Sequence, residues 1–300
     1  MHLLLIRWPR ALLCALLLAL STVLLSVSLL PPALLKRLLP WPAVQRPCDR
    51  LLMQLAGAWV ALNKQWMDAC NPGLRWRLEG LEGLSPQGWY LLTCNHLSSV
   101  DILVLQHALH GRIPFLKFFL KRELIWMPVI GMAWWALDFP FMRRGKTRED
   151  QRRDLEAARA SCEKFRRVPT SVMNFVEGTR ATPEKREAER SPYRHLLKPK
   201  VGGLSVALAT MGEQFEALLD VTLVYPAGTP SFWDLLCGNV PAVVLRVQRH
   251  AIPPALLGME AAGERARLVR QARWLEQIWA EKDAWIDAQL NAGPRADQTS

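Results

Sequence analysis

A histidine and an aspartate lie five positions apart in a short segment between two apolar runs. The run before it, Trp89–Thr93, is short and β-rich, which favours a buried strand, and the run after it, Ile102–Leu109, is long enough for a helix. The carboxylate of Asp101 can accept a hydrogen bond from one imidazole nitrogen of His96 and leave the other nitrogen free as a general base. The pair is therefore a candidate for removing a proton from a substrate.

The start of the helix decides whether this pair can form. Ser98 and Asp101 resemble a capping box, which predicts a helix beginning near Ser99. Residues five apart in one regular helix point in different directions, so His96 must lie outside the helix that Asp101 begins. A lone histidine beside an apolar strand more often has a structural role, so the pair needs support from the rest of the chain.

Two other predicted strands run into charged or flexible residues. Leu137–Met142 is followed by two arginines, the second of which is Arg144. Ser171–Val176 is followed by a carboxylate, a glycine, a hydroxyl and a guanidinium group: Glu177, Gly178, Thr179 and Arg180. Guanidinium groups bind phosphate, and glycine lets the backbone approach a ligand. With Lys198 and Lys200 adding charge, this pattern suits a polyol phosphate; solvated surface charges are the alternative interpretation.

Short apolar runs alternate with helical patterns from Leu74 onward. The predicted strands are Arg75–Glu79, Trp89–Thr93, Ile113–Lys117, Leu137–Met142, Ser171–Val176, Asp220–Tyr225 and Val243–Gln248. The predicted helices between them are Ile102–Leu109, Glu149–Phe165 and Val201–Gly212. The alternation predicts an α/β fold with a mainly parallel central sheet flanked by helices. Ligands of such folds gather at the carboxyl ends of strands, which would bring His96, Arg144 and Glu177 to one edge.

The N-terminal region predicts a membrane-anchoring helical segment. Ala11–Leu30 carries no charge and is long enough to cross a bilayer core, and Pro31–Pro32 is expected to end its helix. With the helical pattern at Leu51–Leu62, the segment forms either one span or a hairpin in one leaflet. A signal peptide cleaved near Ser26–Ser28 is the competing interpretation. The predicted organisation is residues 1–68 as the anchor, 69–290 as the α/β domain and 291–300 as a disordered tail.

Two later segments are assigned by composition and pattern. Ala181–Arg194 is polar and predicts a mobile surface loop. Glu264–Leu290 predicts an amphipathic helix, and its apolar stripe is expected to dock on the domain in preference to a membrane. The segment 203–207 nearly matches the nucleophile elbow of hydrolases but ends in alanine. No covalent nucleophile is therefore evident, and direct transfer onto a hydroxyl activated by His96 is the simpler chemistry.

Composition narrows the choice of partner. The net charge is +11, which suits an anionic partner, and half of the residues are hydrophobic, with 13 tryptophans, which favours a membrane. No zinc-finger, helix-turn-helix or RNA-binding pattern supports nucleic acid. The cysteines are scattered and predict reduced thiols, with neither a disulfide framework nor a zinc site: Cys14, Cys48, Cys70, Cys94, Cys162 and Cys237.

Four segments in order resemble the motifs of the glycerolipid acyltransferase superfamily, the PlsC-like 1-acyl-sn-glycerol-3-phosphate acyltransferases. They are Asn95–Asp101, Phe141–Arg144, Phe175–Arg180 and Val221–Pro226. Ser191–Lys200 and Asp220–Pro226 further resemble the bacterial YihG-type branch. The fourth segment lacks the Val-Pro start of better-known members, so acceptor and acyl-chain preference do not carry over.

The resemblance implies transfer of an acyl group from acyl-CoA or acyl-carrier protein to a lysophospholipid, with 1-acylglycerol-3-phosphate giving phosphatidic acid as the favoured case. It implies His96 as the base and Asp101 as its partner. The implied acceptor-binding residues are Arg144, Glu177, Gly178, Thr179, Arg180 and Lys198, with Glu177 contacting glycerol. No metal or bound cofactor is implied. The expected location is the bacterial inner membrane, with the catalytic domain facing the cytoplasm. A lysophospholipase or thioesterase and a non-catalytic lipid-binding protein are the alternatives.

Overall fold

The computed structural model describes the chain apart from a set of residues that lie in four regions: residue 1, residues 143–148, 150–152, 154, 155, 157–159, 161, 162, 164, 166 and 167, residues 258–262, and residues 292–300. Arg144, predicted to bind phosphate, is therefore outside the described residues. So are most of the predicted helix Glu149–Phe165, whose described members are helical, and nearly all of the predicted C-terminal tail.

Eight α-helices and eight strands have defined bounds in the described part of the chain, besides three short 3-10 helices. The helices are α1 (His2–Leu38), α2 (Pro42–Cys70), α3 (Asp101–Leu109), α4 (Ile130–Ala136), α5 (Pro183–Ala188), α6 (Gly202–Met211), α7 (Phe232–Leu236) and α8 (Gly263–Asn291). The strands are β1 (Arg75–Glu79), β2 (Tyr90–Cys94), β3 (Leu116–Phe118), β4 (Leu120–Lys121), β5 (Phe141–Met142), β6 (Ser171–Asn174), β7 (Ala217–Val224) and β8 (Ala242–His250).

Six strands form one sheet in the order β1-β8-β7-β2-β6-β3. Strands β7, β2, β6 and β3 are parallel, β8 is antiparallel to β7, and β1 is parallel to β8. Side chains of β2 alternate between two apolar clusters: Tyr90 and Leu92 face the helices α1 to α4, and Leu91 faces α6 and α8. This arrangement confirms the predicted α/β fold with a mainly parallel sheet flanked by helices.

Helices α1 and α2 form an antiparallel hairpin. Lys36 near the end of α1 forms a hydrogen bond of 2.9 Å with Asp49 near the start of α2. The expectation that Pro31–Pro32 ends the first helix is wrong, because α1 continues to Leu38. Ala33, directly after the prolines, is fully buried. Packing on the domain therefore keeps this segment helical although two backbone N–H donors are missing.

The hairpin also corrects the predicted oxidation state of two cysteines. Cys14 in α1 and Cys70 at the end of α2 form a disulfide, with their Cα atoms 6.5 Å apart. The expectation that all cysteines are reduced is therefore wrong for this pair. Their 56-residue separation in sequence hid the contact that the folded hairpin creates. The free cysteines among the described residues, Cys48, Cys94 and Cys237, are buried.

One helix of the described residues is long and apolar enough to cross a membrane. It covers Trp8–Leu38, and its most apolar stretch has a mean hydropathy of 2.5. Only 22% of that stretch is buried in the protein. Its exposed face consists mainly of large apolar side chains, including Leu12, Leu13, Leu16 and Leu24. An exposed apolar face of this kind suits contact with lipid.

Most predicted strands occur with shifted ends, but two predictions fail over most of their length. Of Ile113–Lys117, only the last two residues are in a strand, β3. Only the last two residues of Leu137–Met142 form a strand, because α4 extends to Ala136 and the backbone at Asp138 turns with a φ of +58°. The predicted loop Ala181–Arg194 contains the short helix α5, whose start is capped by the hydroxyl of Thr182.

Helix α8 docks on the sheet through its apolar stripe. The sequence predicted this docking in preference to contact with a membrane. Leu275, Ile278, Trp279 and Ile286 are buried in the cluster that they share with α6 and the inner face of the sheet. Asp283 on the same helix accepts hydrogen bonds from two backbone N–H groups of the segment 191–200. The helix is therefore an integral layer of the α/β domain.

Candidate active site

Residues 95–100, which we call the catalytic turn for the role predicted for His96, follow β2 and precede α3. Helix α3 begins at Asp101, so His96 lies outside it, and Nδ1 of His96 is 2.8 Å from Oδ2 of Asp101. The imidazole ring stacks on Phe175, with the ring centroids 4.1 Å apart. Within the described part of the chain, no group hydrogen bonds to Nε2, and the His96 side chain is 20% exposed. This nitrogen is therefore available to a substrate.

The carboxylate of Asp101 organises the turn as well as the histidine. Its Oδ2 accepts hydrogen bonds from the backbone N–H groups of Leu97 (2.7 Å) and Ser98 (2.9 Å). Its Oδ1 accepts a hydrogen bond from the hydroxyl of Tyr225 (2.7 Å) at the end of β7. The Ser98 contact is half of the predicted capping box. With its carboxylate fully buried and bonded on both oxygens, Asp101 holds the imidazole of His96 in one orientation.

Asn95 ties the turn to the neighbouring strand. Its side-chain amide donates to the carbonyl of Leu223 (2.9 Å), and its amide oxygen accepts from the backbone N–H of Leu223 (2.8 Å). The Asn95 side chain is completely buried. This two-point contact fixes the end of β2 against β7 immediately before His96.

Glu177 lies beside His96, but its carboxylate faces the protein interior. Its Oε2 accepts a hydrogen bond from the backbone N–H of His96 (2.7 Å), and its Oε1 accepts one from the backbone N–H of Leu197 (2.8 Å). Glu177 is fully buried. The resemblance implies that Glu177 contacts glycerol, but its placement does not support that contact. Both oxygens bind backbone N–H groups, so the carboxylate positions the backbone of the turn.

Opposing effects set the pKa of Glu177 close to neutral pH. Burial raises the pKa of Glu177 to about 7, against the two backbone hydrogen bonds and the ammonium group of Lys282, which lower it. Burial likewise raises the pKa of the Cys94 thiol, which stays neutral next to the turn. The ionised carboxylate of Glu177 accepts both N–H groups more strongly than the protonated acid does, so the shape of the turn is linked to proton binding near neutral pH.

Basic side chains surround the exposed end of this site. Arg180 and Lys198 are exposed, and a methyl group added at Gly178 would lie 3.6 Å from Nζ of Lys200. Gly178 has a φ of +71°, which other residues rarely adopt. The hydroxyl of Thr179 accepts a hydrogen bond from Lys185 (2.7 Å), which orders the loop. This part of the site combines exposed cations with a backbone that a ligand can approach.

A row of aromatic rings leads from His96 into the apolar core, where Phe118 and Phe139 are buried. Phe175, which stacks on His96, is followed by Phe118, Phe139 and Phe115, with successive ring centroids 6.1, 6.4 and 6.2 Å apart. A separate cavity of about 320 Å³ lies at the opposite edge of the sheet, lined by residues such as Met53, Gly57 and Leu109. The cavity is not beside His96. The aromatic side of the site gives His96 an apolar neighbour suited to hydrocarbon.

The structure brings together most of the predicted site and adds residues that were missed. His96, Asp101, Glu177, Gly178, Thr179 and Arg180 meet at one edge, where the carboxyl ends of the parallel strands lie. Tyr225, Asn95 and Phe175 were missed as functional residues, although they belong to the quoted motifs. No group of three potential metal ligands occurs among the residues that the structure describes.

Comparison with known proteins assigns this chain to a family. Residues 75–228, just over half of the chain, match the model of the Acyltransferase family. The 1-acyl-sn-glycerol-3-phosphate acyltransferase 2 of Arabidopsis thaliana is 25% identical over 214 residues, covering 67% of this chain and 52% of that protein. The 1-acyl-sn-glycerol-3-phosphate acyltransferase gamma of Homo sapiens is 27% identical over 179 residues, covering 56% and 44%. The chain spans about half the length of the curated relatives it matches.

A solved structure shares the fold. The crystal structure of the 1-acyl-sn-glycerophosphate (LPA) acyltransferase, PlsC, from Thermotoga maritima has a TM-score of 0.52 to this protein at 15% identity, covering 90% of this chain and 95% of that one. The segment matched by the family model contains the catalytic turn, Glu177 and Arg180. On the strength of that match, this chain belongs to the Acyltransferase family.

Proposed function

We propose that the protein transfers a fatty acyl group from a thioester donor to the free hydroxyl of 1-acylglycerol-3-phosphate, giving phosphatidic acid. The observation that carries this proposal is a histidine held by a buried carboxylate, with an exposed arginine on the adjoining loop. Among the described residues, none bonds to the second nitrogen of this histidine. Membership of the Acyltransferase family and the names of the two relatives support the same reaction. The donor is acyl-CoA or acyl-carrier protein.

His96 acts as the general base in the proposed step. Its Nε2 takes the proton from the acceptor hydroxyl while that oxygen attacks the thioester carbonyl carbon. A carbon–oxygen bond forms, the carbon–sulfur bond breaks, and the departing sulfur takes the proton back from His96. Asp101 stabilises the transient imidazolium through its hydrogen bond to Nδ1. Glu177 contributes by fixing the backbone of His96, not by contacting glycerol.

The acceptor phosphate binds the exposed cations next to Gly178. Arg180 supplies a guanidinium group whose hydrogen bonds match a phosphate, and Lys198 and Lys200 add positive charge. Arg144 is part of the proposed site from the sequence motif alone, since it lies outside the described residues. Holding the phosphate here places the glycerol hydroxyl within reach of the neighbouring turn.

Helix α1 lies in the plane of one leaflet and does not cross the membrane. Near its start, Trp8 contacts Trp233 of α7, with the ring centroids 5.1 Å apart, and Arg10 bonds to the carbonyl of Cys70. Near its end, Lys36 forms salt bridges with Asp49 and Asp138. Because the same domain holds both ends of α1, a crossing helix would draw polar parts of that domain into the hydrocarbon core.

The membrane topology is tested by the accessibility of two epitope tags. Tags fused before Met1 and after Ser300 are expected to be digested from the same side of sealed membrane vesicles by an added protease. A helix that crosses the bilayer once would place them on opposite sides. Detergent-permeabilised vesicles serve as the control, because both tags must then be digested.

The reaction itself is tested with purified protein and a panel of lysophospholipids, each offered with acyl-CoA and with acyl-carrier protein. Transfer to 1-acylglycerol-3-phosphate above all other acceptors is expected. Acyl release at full rate without an acceptor would instead identify a thioesterase or a phospholipase. Lipid binding without thioester consumption would identify a non-catalytic protein.

Substitution Arg180→Ala is expected to raise KM for the lysophospholipid by about tenfold or more, because a hydrogen bond to a charged group contributes about 1.5–3 kcal/mol. The KM for the thioester donor should change little. Arg112→Ala is the matched control, because Arg112 is also exposed but lies beyond α3 at the opposite edge of the sheet. An unchanged acceptor KM in Arg180→Ala would contradict phosphate binding by this residue.

A further inference from the structure

A lysine from the C-terminal helix lies behind the active site. Lys282 of α8 is fully buried, and its Nζ donates a hydrogen bond to the backbone carbonyl of Val221 (2.7 Å). The same Nζ is 2.9 Å from Oδ1 of Asp220, which is also fully buried. Lys282 lies beyond residues 75–228, the segment shared with the family model. An ion pair placed this deeply is costly unless its geometry is well satisfied, so its presence calls for an explanation.

This ion pair is in contact with the strand that leads into the catalytic turn. Asp220 and Val221 of β7 lie opposite Thr93 and Cys94, the last two residues of β2. The hydroxyl of Thr93 donates to Oδ1 of Asp220 (2.8 Å). Lys282 is therefore linked through Asp220 to the end of β2, two residues before His96.

Helix α8 reaches the other side of the turn through a second residue. The indole Nε1 of Trp279 donates to the carbonyl of Leu197 (3.1 Å), and the N–H of Leu197 donates to Glu177. Nζ of Lys282 lies over the Trp279 ring, 4.1 Å from its centroid. One turn of α8 thus contacts both neighbours of the catalytic turn, the strand β7 and the segment that binds Glu177.

The charges behind the turn explain why this residue is a lysine. Three carboxylates are completely buried there, on α3, on the loop after β6 and on β7: Asp101, Glu177 and Asp220. The ammonium group of Lys282 faces this group from α8, and the neutral thiol of Cys94 faces it from β2. Lys282 lowers the pKa of Glu177, which burial and Asp101 raise.

We propose that Lys282 is a positioning residue of the acyltransferase site, which keeps Glu177 ionised and β7 aligned so that the backbone of His96 stays in its reactive place. This inference rests on the proposed function, because it is measured through acyl transfer. It assigns a role in the reaction to the helix that follows the family segment. Lys282 acts through Glu177 and touches no substrate.

Substitution Lys282→Met keeps the length of the side chain and removes its charge. The acid limb of kcat against pH should move to higher pH by about one unit, because Glu177 loses a nearby opposite charge and protonates more readily. At pH 7 this corresponds to a fall in kcat of roughly fivefold, with both KM values changed by less than about twofold. Arg273→Met, an exposed residue of the same helix, is the matched control and should leave the profile unchanged.

Asp220→Asn separates this role from a purely structural ion pair. Like Lys282→Met, it breaks the ion pair, but it keeps the positive charge of Lys282 and an oxygen that can accept from Thr93. Because it removes a negative charge near Glu177, the pKa of Glu177 should not rise. The acid limb should therefore stay in place or move to lower pH. If both variants shift the limb upward alike, or if folded Lys282→Met has the wild-type profile, the proposal is overturned. Asp220→Asn gives its result even where Lys282→Met does not fold. A wild-type protein without acyl transfer would instead contradict the proposed function.

Discussion

Substitution His96→Ala is expected to lower kcat for acyl transfer by about 10²–10⁴-fold, the usual contribution of a general base. The contacts that shape the turn do not depend on the imidazole. The N–H of residue 96 still donates to Glu177, and its carbonyl still accepts from Ala181. Of the contacts among described residues, the variant loses the hydrogen bond to Asp101 and the stack on Phe175, so it should fold.

The measurement is steady-state transfer by purified variant, with the thermal unfolding midpoint recorded for the same sample. His110→Ala is the control, because His110 follows α3 at the far edge of the sheet and is partly exposed. It should keep wild-type kcat. A His96→Ala enzyme that retains more than about a tenth of wild-type turnover would rule out His96 as the base.

Asp101→Asn is expected to lower kcat by about 10²-fold or more while the protein stays folded, because the imidazolium loses its negative partner. The asparagine can keep the geometry. Its oxygen can take the place of Oδ2 and accept from Leu97, Ser98 and His96. Its amide can then donate to Tyr225, since a phenol hydroxyl accepts as well as donates.

Asp101→Ala provides the contrast. It removes the acceptor for two backbone N–H groups in a buried turn, each of which costs about 1–3 kcal/mol when left unpaired. Its unfolding midpoint should therefore fall, whereas that of Asp101→Asn should stay near wild type. Tyr225→Phe, which removes one donor and leaves the carboxylate charged, should cost only a few-fold in kcat. If Asp101→Asn transferred acyl groups at the wild-type rate, the carboxylate would have no electrostatic role in the reaction.

The placement of His96 and Asp101 could be predicted because it depends on local structure. A strand, a short turn and a helix start lie within a few residues of one another, and the requirement that His96 lie outside α3 followed from helix geometry alone. The helix starts at Asp101 and not near Ser99. That difference leaves the pair intact, because the Asp101 side chain reaches back to the turn.

The direction of Glu177 could not be predicted in the same way. The sequence indicates that this residue follows a strand at the active edge, but not which way its carboxylate points. That depends on Leu197, twenty positions later, whose N–H returns to the site. Lys282 is harder still, because it contacts Val221 across 61 positions, and in sequence it is one charge in a helix of mixed charge.

Two predictions for the N-terminal region, the end of the first helix and the reduced state of two cysteines, were wrong for the same reason. Two prolines ordinarily end a helix, but α1 lies against α2 and α4, and Ala33 is buried beyond them. The Cys14–Cys70 contact arises only when the hairpin closes. Both depend on tertiary packing, which a pattern read along the chain does not contain.

The catalytic turn is built from carboxylates that bind backbone N–H groups, and this has a consequence for which sequences can form it. Glu177 binds the N–H of His96, and Asp101 binds those of Leu97 and Ser98. Every amino acid except proline carries this group. Position 97 is therefore open to exchange as far as these hydrogen bonds are concerned. Ser98 differs, because its hydroxyl also donates to the carbonyl of Pro230 and accepts from the N–H of Val100. The spacing between His96 and Asp101 thus depends on backbone groups and on one serine side chain.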